Sequence, residues 1–368
     1  MATTSTTPPL GVGVVGLSAS GSWASLAHVP ALAAVTGVEL RGLVTSNAAS
    51  ARSAAAEYGV PLAFDRVEDL AGRAEIDLIV VSVKVPLHRQ LVLPALAAGT
   101  MVLCEWPLAN GLAEADELVA AAGGTRTFVG LQGRSAPTVR FLRDLVADGY
   151  VGDVLSTSLI ASGNQWGAET SNRSEYLLDR ELGATMFTIQ FAHTVDSVAF
   201  VLGELAEVAA TTATRRPDVR NSDTGNLVPM TAEDQIAVTG TLAGGAVASV
   251  HFRGGRSRGT NLLWEINGTE GDLLVTSRSG QLHSSRVQIQ GARGADRMAD
   301  LAVPAEYDHF PFLAGQPAHA VAHTYAQVVD DLAEGTHVVP DFDHARRRHQ
   351  LLDAIRQAAA DPHRPTRL

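Results

Sequence analysis

The stretch 10-LGVGVVGLSASGSWASLAHVPALAAV-35 decides how the first third of the chain is read. A β-branched run opens it, a glycine- and serine-rich turn follows, and an alanine-rich segment closes it, which is the order strand, loop, helix. Gly11, Gly13 and Gly16 spell G-x-G-x-x-G, yet in a chain with 34 glycines a bare match is weak. The register also argues against a literal reading, because Gly11 and Gly13 fall inside the strand. The turn that would approach a pyrophosphate starts at Gly16. From there Leu17, Ser18, Ser20 and Gly21 lead to a helix beginning at Ser22 or Trp23, whose free N–H groups and dipole favour a phosphate. These seven residues are the candidate dinucleotide cradle.

Outward from this stretch the same rhythm repeats. The runs "ELRGLVT", "DLIVVSV", "TMVLCEW" and "TFVGLQG" have the length and β-branched content of buried parallel strands, with alanine-rich helical segments between them. Alternation of strand and helix predicts a doubly wound parallel sheet of the Rossmann type over 10–131. Beyond 131 the rhythm changes. Helices are expected at 136–148 and about 182–203, then strands such as "VLSTSLIAS", "DQIAVTGTL", "AVASVHFRG", "NLLWEING" and "DLLVTS" joined by short glycine turns. The fold class expected is therefore α/β: an N-terminal Rossmann sheet plus a C-terminal α+β domain with a large open antiparallel sheet. The boundaries are a disordered tail at 1–9, a nucleotide domain at 10–131, a substrate and dimerisation domain at 132–345, and a C-terminal helix and tail at 346–368. The polar segment 215–231 reads as a surface loop.

The end of the second strand, "LVTSNAASAR", bears on the cofactor. An acidic residue there would hold the adenosine ribose of NAD. Thr45, Ser46 and Asn47 stand instead, small donors suited to a 2′-phosphate, with Arg52 one turn on, so the reading leans to NADP over NAD. Composition narrows the partners. With 28 basic and 39 acidic residues the formal charge is −11, which gives no basic field for nucleic acid or an anionic membrane. No apolar run reaches the roughly 18 residues of a membrane span. The first nine residues lack a signal-peptide pattern, and the single cysteine, Cys104, fits a reducing compartment, so a cytoplasmic protein is expected. No Cys/His cluster has zinc spacing, and no metal is expected. The basic run "HARRRHQ" at 344–350 reads as a solvated helix face.

Three features then coincide: the Rossmann half, "EWP" at the end of a later strand, and "HTVD" on a helix of the second domain. Together with "VGLSASGSW", "IDLIVVSVKVPLH", "LQGRSAPTVR", "RSEYLLD", "FRGG" and "INGTEGDL" they resemble the Gfo/Idh/MocA oxidoreductase family, in its Gal80-like branch. The resemblance spans residue 10 to about 280. It implies a nicotinamide at the C-terminal edge of the parallel sheet, facing an open sheet that walls the ligand site and pairs copies into a homodimer or higher oligomer. It also implies a catalytic lysine within Glu-Lys-Pro, and an Asp and a His from a helix motif, because an alcohol that loses hydride must also lose a proton.

Placed residue by residue, Glu105 and Pro107 match the motif while Trp106 takes the lysine position as a pocket wall. His193 and Asp196 match H-x-x-D, but Ile189 and Phe191 stand where Asp and Gly are expected. Lys84, after Val83 and before His88 at the end of the fourth strand, is the candidate for a displaced acid or a pyrophosphate contact. His88 orients that loop. His193 faces the ligand, and Asp196 is a structural partner or cap. Arg134, Trp166, Arg173 and Tyr176 are candidates for the ligand wall. Three readings stay open, of which the third is a non-redox use of the pocket such as isomerisation. One is an NAD(P)-dependent oxidoreductase acting on a sugar-like molecule or an activated carbonyl or imine. Another is a silent cofactor- and sugar-sensing regulator that binds a protein partner.

Overall fold

Six strands, β1 (Leu10–Val15), β2 (Val38–Val44), β3 (Leu62–Phe64), β4 (Leu78–Val81), β5 (Met101–Glu105) and β6 (Thr127–Gly130), form a wholly parallel sheet in the order 3-2-1-4-5-6. β4 and β6 are buried along their whole length, as apolar strands covered on both faces must be. The covering helices are α1 (Val29–Ala34), α2 (Ala48–Tyr58), α3 (Val67–Leu70), α4 (His88–Ala97) and α5 (Leu112–Ala122). A Cβ on Gly11 would lie 2.0 Å from the Glu75 carbonyl, and one on Gly13 would lie 2.6 Å from Leu70. Both glycines therefore serve close packing within the sheet, as their register in β1 implies. The structure, a computed structural model, describes residues 8–361 and 366–368. The tail expected at 1–9 lies, except for Pro8 and Pro9, outside the described residues.

The second region follows as α6 (Pro137–Ala147), β7 (Val154–Gly163), β8 (Glu169–Thr170), α7 (Ala192–Leu202), β9 (Leu205–Ala213), β10 (Asp218–Asn221), β11 (Leu227–Pro229), β12 (Gln235–Leu242), β13 (Val247–Gly254), β14 (Leu262–Gly268), β15 (Gly271–Ser277), β16 (Val287–Arg293) and β17 (Ala299–Asp300). The chain closes with α8 (Ala318–Glu334), α9 (Phe342–Ala360) and β18 (Thr366–Arg367). Nine strands make a large sheet in the order 17-16-15-14-7-13-12-9-18. Its pairings are antiparallel except for β7 with β13. The segment 215–231 is not only loop. It carries β10 and β11, which join β8 in a small sheet whose strands, two to four residues long, are too short to leave a periodic signal.

Three further features position the site. A π-helical turn, Phe187–Phe191, leads into α7, so the helix expected from 182 begins at 187. Residues 190–198 are all buried, with Phe191 packed edge-on against Phe252 of β13, their centroids 5.8 Å apart. α8 follows the large sheet in sequence but packs on the parallel one: Val321, Tyr325 and Val328 share a core with Val12, Val14, Leu103 and Phe128.

The basic run 344–350 is not a solvated face. α9 starts at Phe342, where the helical pattern FDHARRRHQLLDAIRQAAAD opens, behind an Asp341 cap that accepts the His344 N–H at 2.8 Å. His344, Arg348 and His349 are buried against neighbouring elements. The charges are met by carboxylates distant in sequence, Asp196 and Glu204, which a local reading of the run cannot supply. Among the described residues no helix is long and apolar enough to cross a membrane.

Candidate functional site

The C-terminal ends of the parallel strands open onto a cleft of about 670 Å³, closed on its far side by α7, the 165–177 segment and a loop at 281–283. Ligands bind parallel sheets at this edge because strand ends there leave turns and helix N-termini facing outward. Gly16 sits at φ +93°, and a Cβ on it would fall 2.3 Å from the Ser82 carbonyl, so only glycine lets the loop after β1 lie against the end of β4. Ser22 and Ser25 cap the following helix reciprocally, each backbone N–H donating to the other's hydroxyl at 2.7 and 3.2 Å. Tyr58 donates its hydroxyl to the Ser18 carbonyl at 3.0 Å and braces the loop.

Gly16, Ser22 and Trp23 line the cleft. Leu17 does not: the whole residue is buried in the core. Ser18, Ser20 and Gly21 stand outside the lining, with Ser20 exposed, and Arg173 reaches across from the second region to donate to the Gly21 carbonyl at 3.1 Å. Thr45, Ser46 and Asn47 also stand outside the lining. Asn47 is spent as the cap of α2, accepting the Ser50 N–H at 2.9 Å, while Thr45 donates to the Asn47 carbonyl at 3.1 Å. Ser46 and Arg52 are exposed.

Val83, Lys84, His88, Glu105, Trp106 and Pro107 all line the cleft. Lys84 is exposed at its mouth, with its ammonium 4.3 Å from the centre of the Tyr176 ring. His88 is buried between the Val83 carbonyl at 3.1 Å and the Cys104 thiol at 3.3 Å, and burial lowers its pKa. It ties the end of β4 to that of β5. Glu105 anchors a buried chain: His28 Nε2 donates to its Oε1 at 3.1 Å, and Gln132 Nε2 approaches both carboxylate oxygens at 2.9 Å. Tyr325 donates its hydroxyl to His28 Nδ1 at 2.7 Å, a tautomer that pairs both ring nitrogens of His28. Burial and the Glu105 charge push the Tyr325 pKa well above its usual value.

Trp106 is 5% exposed. Its indole N–H donates to the Thr188 carbonyl at 2.7 Å and its ring packs on His349, centroids 4.8 Å apart. The side chain therefore clamps the end of β5 to the turn before α7, where a lysine would have presented an ammonium.

From the other side come Trp166, Arg173, Tyr176, Ile189, Gln190 and His193, joined by Gln281 and His283. The His193 and His283 rings lie 4.6 Å apart. Burial, then the neighbouring His283, lowers the His193 pKa well below 6.5; burial brings His283 down to about 4. Both are neutral imidazoles near neutral pH. Arg134 is a correction to the expected ligand wall. It turns away from the cleft and grips Asp196 with two hydrogen bonds, 2.8 and 3.0 Å, because that buried carboxylate has to be neutralised. His344 adds a third bond at 2.8 Å. Burial alone would raise the Asp196 pKa, but Arg134 and His344 hold it far below the carboxylate range.

Residues 10–131 match the oxidoreductase family with an NAD-binding Rossmann fold, and residues 137–277 match the Gal80p C-terminal domain. The chain is 30% identical over 315 residues to the galactose/lactose metabolism regulatory protein GAL80 of Saccharomyces cerevisiae, covering 78% of this chain and 72% of that protein. The chain belongs to the Gfo/Idh/MocA oxidoreductase family, in its Gal80-like branch. Within the family it is also 27% identical over 266 residues to 1,5-anhydro-D-fructose reductase of Ensifer adhaerens, covering 72% of this chain and 76% of that enzyme. The crystal structure of a Gal80p super-repressor mutant from S. cerevisiae has the same fold, with a TM-score of 0.88 at 23% identity over 98% of both chains.

Sequence reasoning missed His28, Gln132, Gln190, Gln281, His283 and Tyr325. Gln190 was within reach, since it lies three residues before His193 on one helical face. His283 sits in a polar glycine- and serine-rich loop, and Tyr325 is 297 residues from its partner His28, so neither carries a local signal.

Proposed function

We propose that the protein is an NAD(P)-dependent oxidoreductase that reduces a small, hydroxyl-rich molecule whose reacting carbon is already activated as a carbonyl or imine. One observation carries this reading. Five buried polar atoms without a protein partner, Trp23 Nε1, Ser82 Oγ, Gln132 Oε1, Gln190 Oε1 and His193 Nδ1, belong to residues that line the same cleft. Buried polar groups are normally paired, and so many unpaired ones around one space fit a polar, multiply hydrogen-bonding occupant.

The residues fit a dinucleotide. The Gly16 turn, the Ser22 cap and the unpaired Trp23 and Ser82 atoms would hold it, with Val83, Lys84, His88, Glu105 and Pro107 beside its reactive end. When bound, the nicotinamide supplies hydride. The protein's part is to orient the substrate and polarise it. Neutral His193 can donate a hydrogen bond to a developing oxyanion, a role that does not require an imidazolium. Lys84 at the mouth adds a cation. Trp106 and Ile189 cannot carry a proton, and loss of a general acid or base costs about 100 to 10,000-fold. Unactivated alcohols are therefore poor substrates. Ser46 and Arg52 favour NADP over NAD.

The test is calorimetric titration with NADP and NAD, followed by NAD(P)H consumption with ketoses and anhydroketoses and NAD(P)H formation with polyols. Carbonyl reduction without polyol oxidation is expected. A His193→Ala variant should lose about 100- to 1,000-fold in kcat/KM, the range for one electrostatic donor, with cofactor affinity unchanged. Robust polyol oxidation, or no binding of either dinucleotide, overturns the proposal. The clamp of Trp106 on Thr188 favours a second reading, a regulator that binds cofactor without turnover. That reading requires a protein partner whose capture changes when NAD(P) is added.

A further inference from the structure

Away from the cleft, at the start of α8, three metal-ligating side chains converge. His319 and His323 stand four residues apart on the first turns of the helix and so share a face. Asp308 comes from the connector that joins the large sheet to α8, just after a short helical turn at Ala305–Tyr307. Its Oδ1 lies 2.8 Å from His319 Nε2 and 3.2 Å from His323 Nε2, and all three ligand atoms fall within 4.8 Å of one another. Among the described residues no other group of this kind is present.

We propose that Asp308, His319 and His323 form a zinc site that pins this connector to α8. The donor set of two imidazoles and one carboxylate suits zinc among the common divalent ions, whereas magnesium and calcium require oxygen ligands. Tetrahedral coordination with bonds near 2.0–2.2 Å separates ligand atoms by about 3.3–3.6 Å, so the carboxylate oxygen would move slightly outward from both imidazoles to admit the ion. The carboxylate is already oriented, since the Phe310 backbone N–H donates to the same Oδ1 at 3.1 Å, and the Phe310 ring packs on His323 with centroids 5.0 Å apart. Such outer contacts fix ligand direction before metal arrives. The His323 side chain is 3% exposed, while those of His319 and Asp308 are 16% and 23% exposed. The ion would thus have a dry side toward the core and a wet side that leaves a fourth position for water.

The sequence shows the two histidines in "HAVAH", but the carboxylate is supplied only by folding, which is why no metal was expected there. The same helix carries Tyr325, which donates to His28 in the chain ending at Glu105, so the proposed site would steady an element that also buttresses the cleft.

The full chain, stripped with a chelator and dialysed, is titrated with Zn²⁺ by calorimetry and with Co²⁺ by visible absorption. One ion per chain is expected, with the intense visible bands of tetrahedral Co²⁺ and a rise in thermal midpoint on adding Zn²⁺. His319→Ala and Asp308→Asn should each weaken binding by at least about 100-fold, the upper end for losing even an outer-shell partner. Both should abolish the zinc-dependent rise in midpoint. His319→Gln, which keeps a polar side chain at the position, should behave like His319→Ala if the imidazole is a ligand. Absence of stoichiometric binding overturns the proposal. So does binding that is unchanged in His319→Gln and Asp308→Asn, since the ion would then sit on other histidines.

Discussion

Trp106 is the residue at which the structure makes the sharpest quantitative demand. Its indole is 5% exposed, packed at a tilt on His349, and bonded through Nε1 to the Thr188 carbonyl at 2.7 Å. Trp106→Ala removes a buried aromatic side chain, which costs about 3–5 kcal/mol. It also strands a buried carbonyl, adding about 1–3 kcal/mol, so a loss of about 4–8 kcal/mol is expected. Trp106→Phe keeps most of the packing against His349 and loses mainly the hydrogen bond. Its expected cost is about 1–2 kcal/mol. Trp106→Lys should lose the clamp without restoring polyol oxidation, because Ile189 still offers no carboxylate. Equilibrium urea unfolding followed by far-ultraviolet circular dichroism measures all three, with the slope against denaturant checked for constancy. Equal costs for the Phe and Ala variants would mean that the hydrogen bond and not the packing dominates. A negligible cost for Ala would mean that the indole is not seated between the two regions at all, and the account of the lost lysine would fall with it.

Gly16→Ala places a methyl group 2.3 Å from the Ser82 carbonyl at a backbone angle that L residues avoid, so the loop must move. NAD(P) affinity should fall by at least about 10-fold, equivalent to ~1.4 kcal/mol; unchanged affinity by calorimetry would remove the loop from the cofactor site. Arg134→Ala leaves Asp196, 1% exposed, with one fewer partner and should destabilise the fold by about 3–5 kcal/mol. Adding Asp196→Asn should then cost much less than in the wild-type background, and strict additivity of the two substitutions would contradict the pairing. His349 is pushed by burial, then by Arg356, from 6.5 to about 4. Between those pH values the unfolded chain binds the proton and the folded chain does not, so this contribution is complete above pH 6.5 and is lost as pH falls toward 4, to the extent of about 3 kcal/mol. A His349→Gln variant should show a shallower fall in unfolding midpoint from pH 7 to pH 5 than the parent, and parallel profiles would assign the acid sensitivity elsewhere.

The parallel sheet was legible because its evidence is local. Strands β1 to β6 are short apolar runs bounded by glycine and helix signals, and the turn at Gly16 is marked by the residues on either side of it. The ends of those strands mark one edge of the cleft, so Val83, Lys84, His88, Glu105, Trp106 and Pro107 are legible together in the sequence. The misreadings have the opposite character. Arg134 reads as a wall residue until Asp196, 62 positions away, draws it aside, and "HARRRHQ" reads as solvated until Asp196 and Glu204 meet its inner face.

The sequence by itself thus determined the order of the elements, the two-part architecture and the strand-end residues that line the cleft, since each depends on periodicity or on a residue at a position. The tertiary structure alone decided which polar atoms are left unpaired in the cleft, how His283 comes beside His193, and how Tyr325 reaches His28. Those depend on partners brought together by the packing of side chains from separate elements, where distance along the chain has no bearing on distance in space.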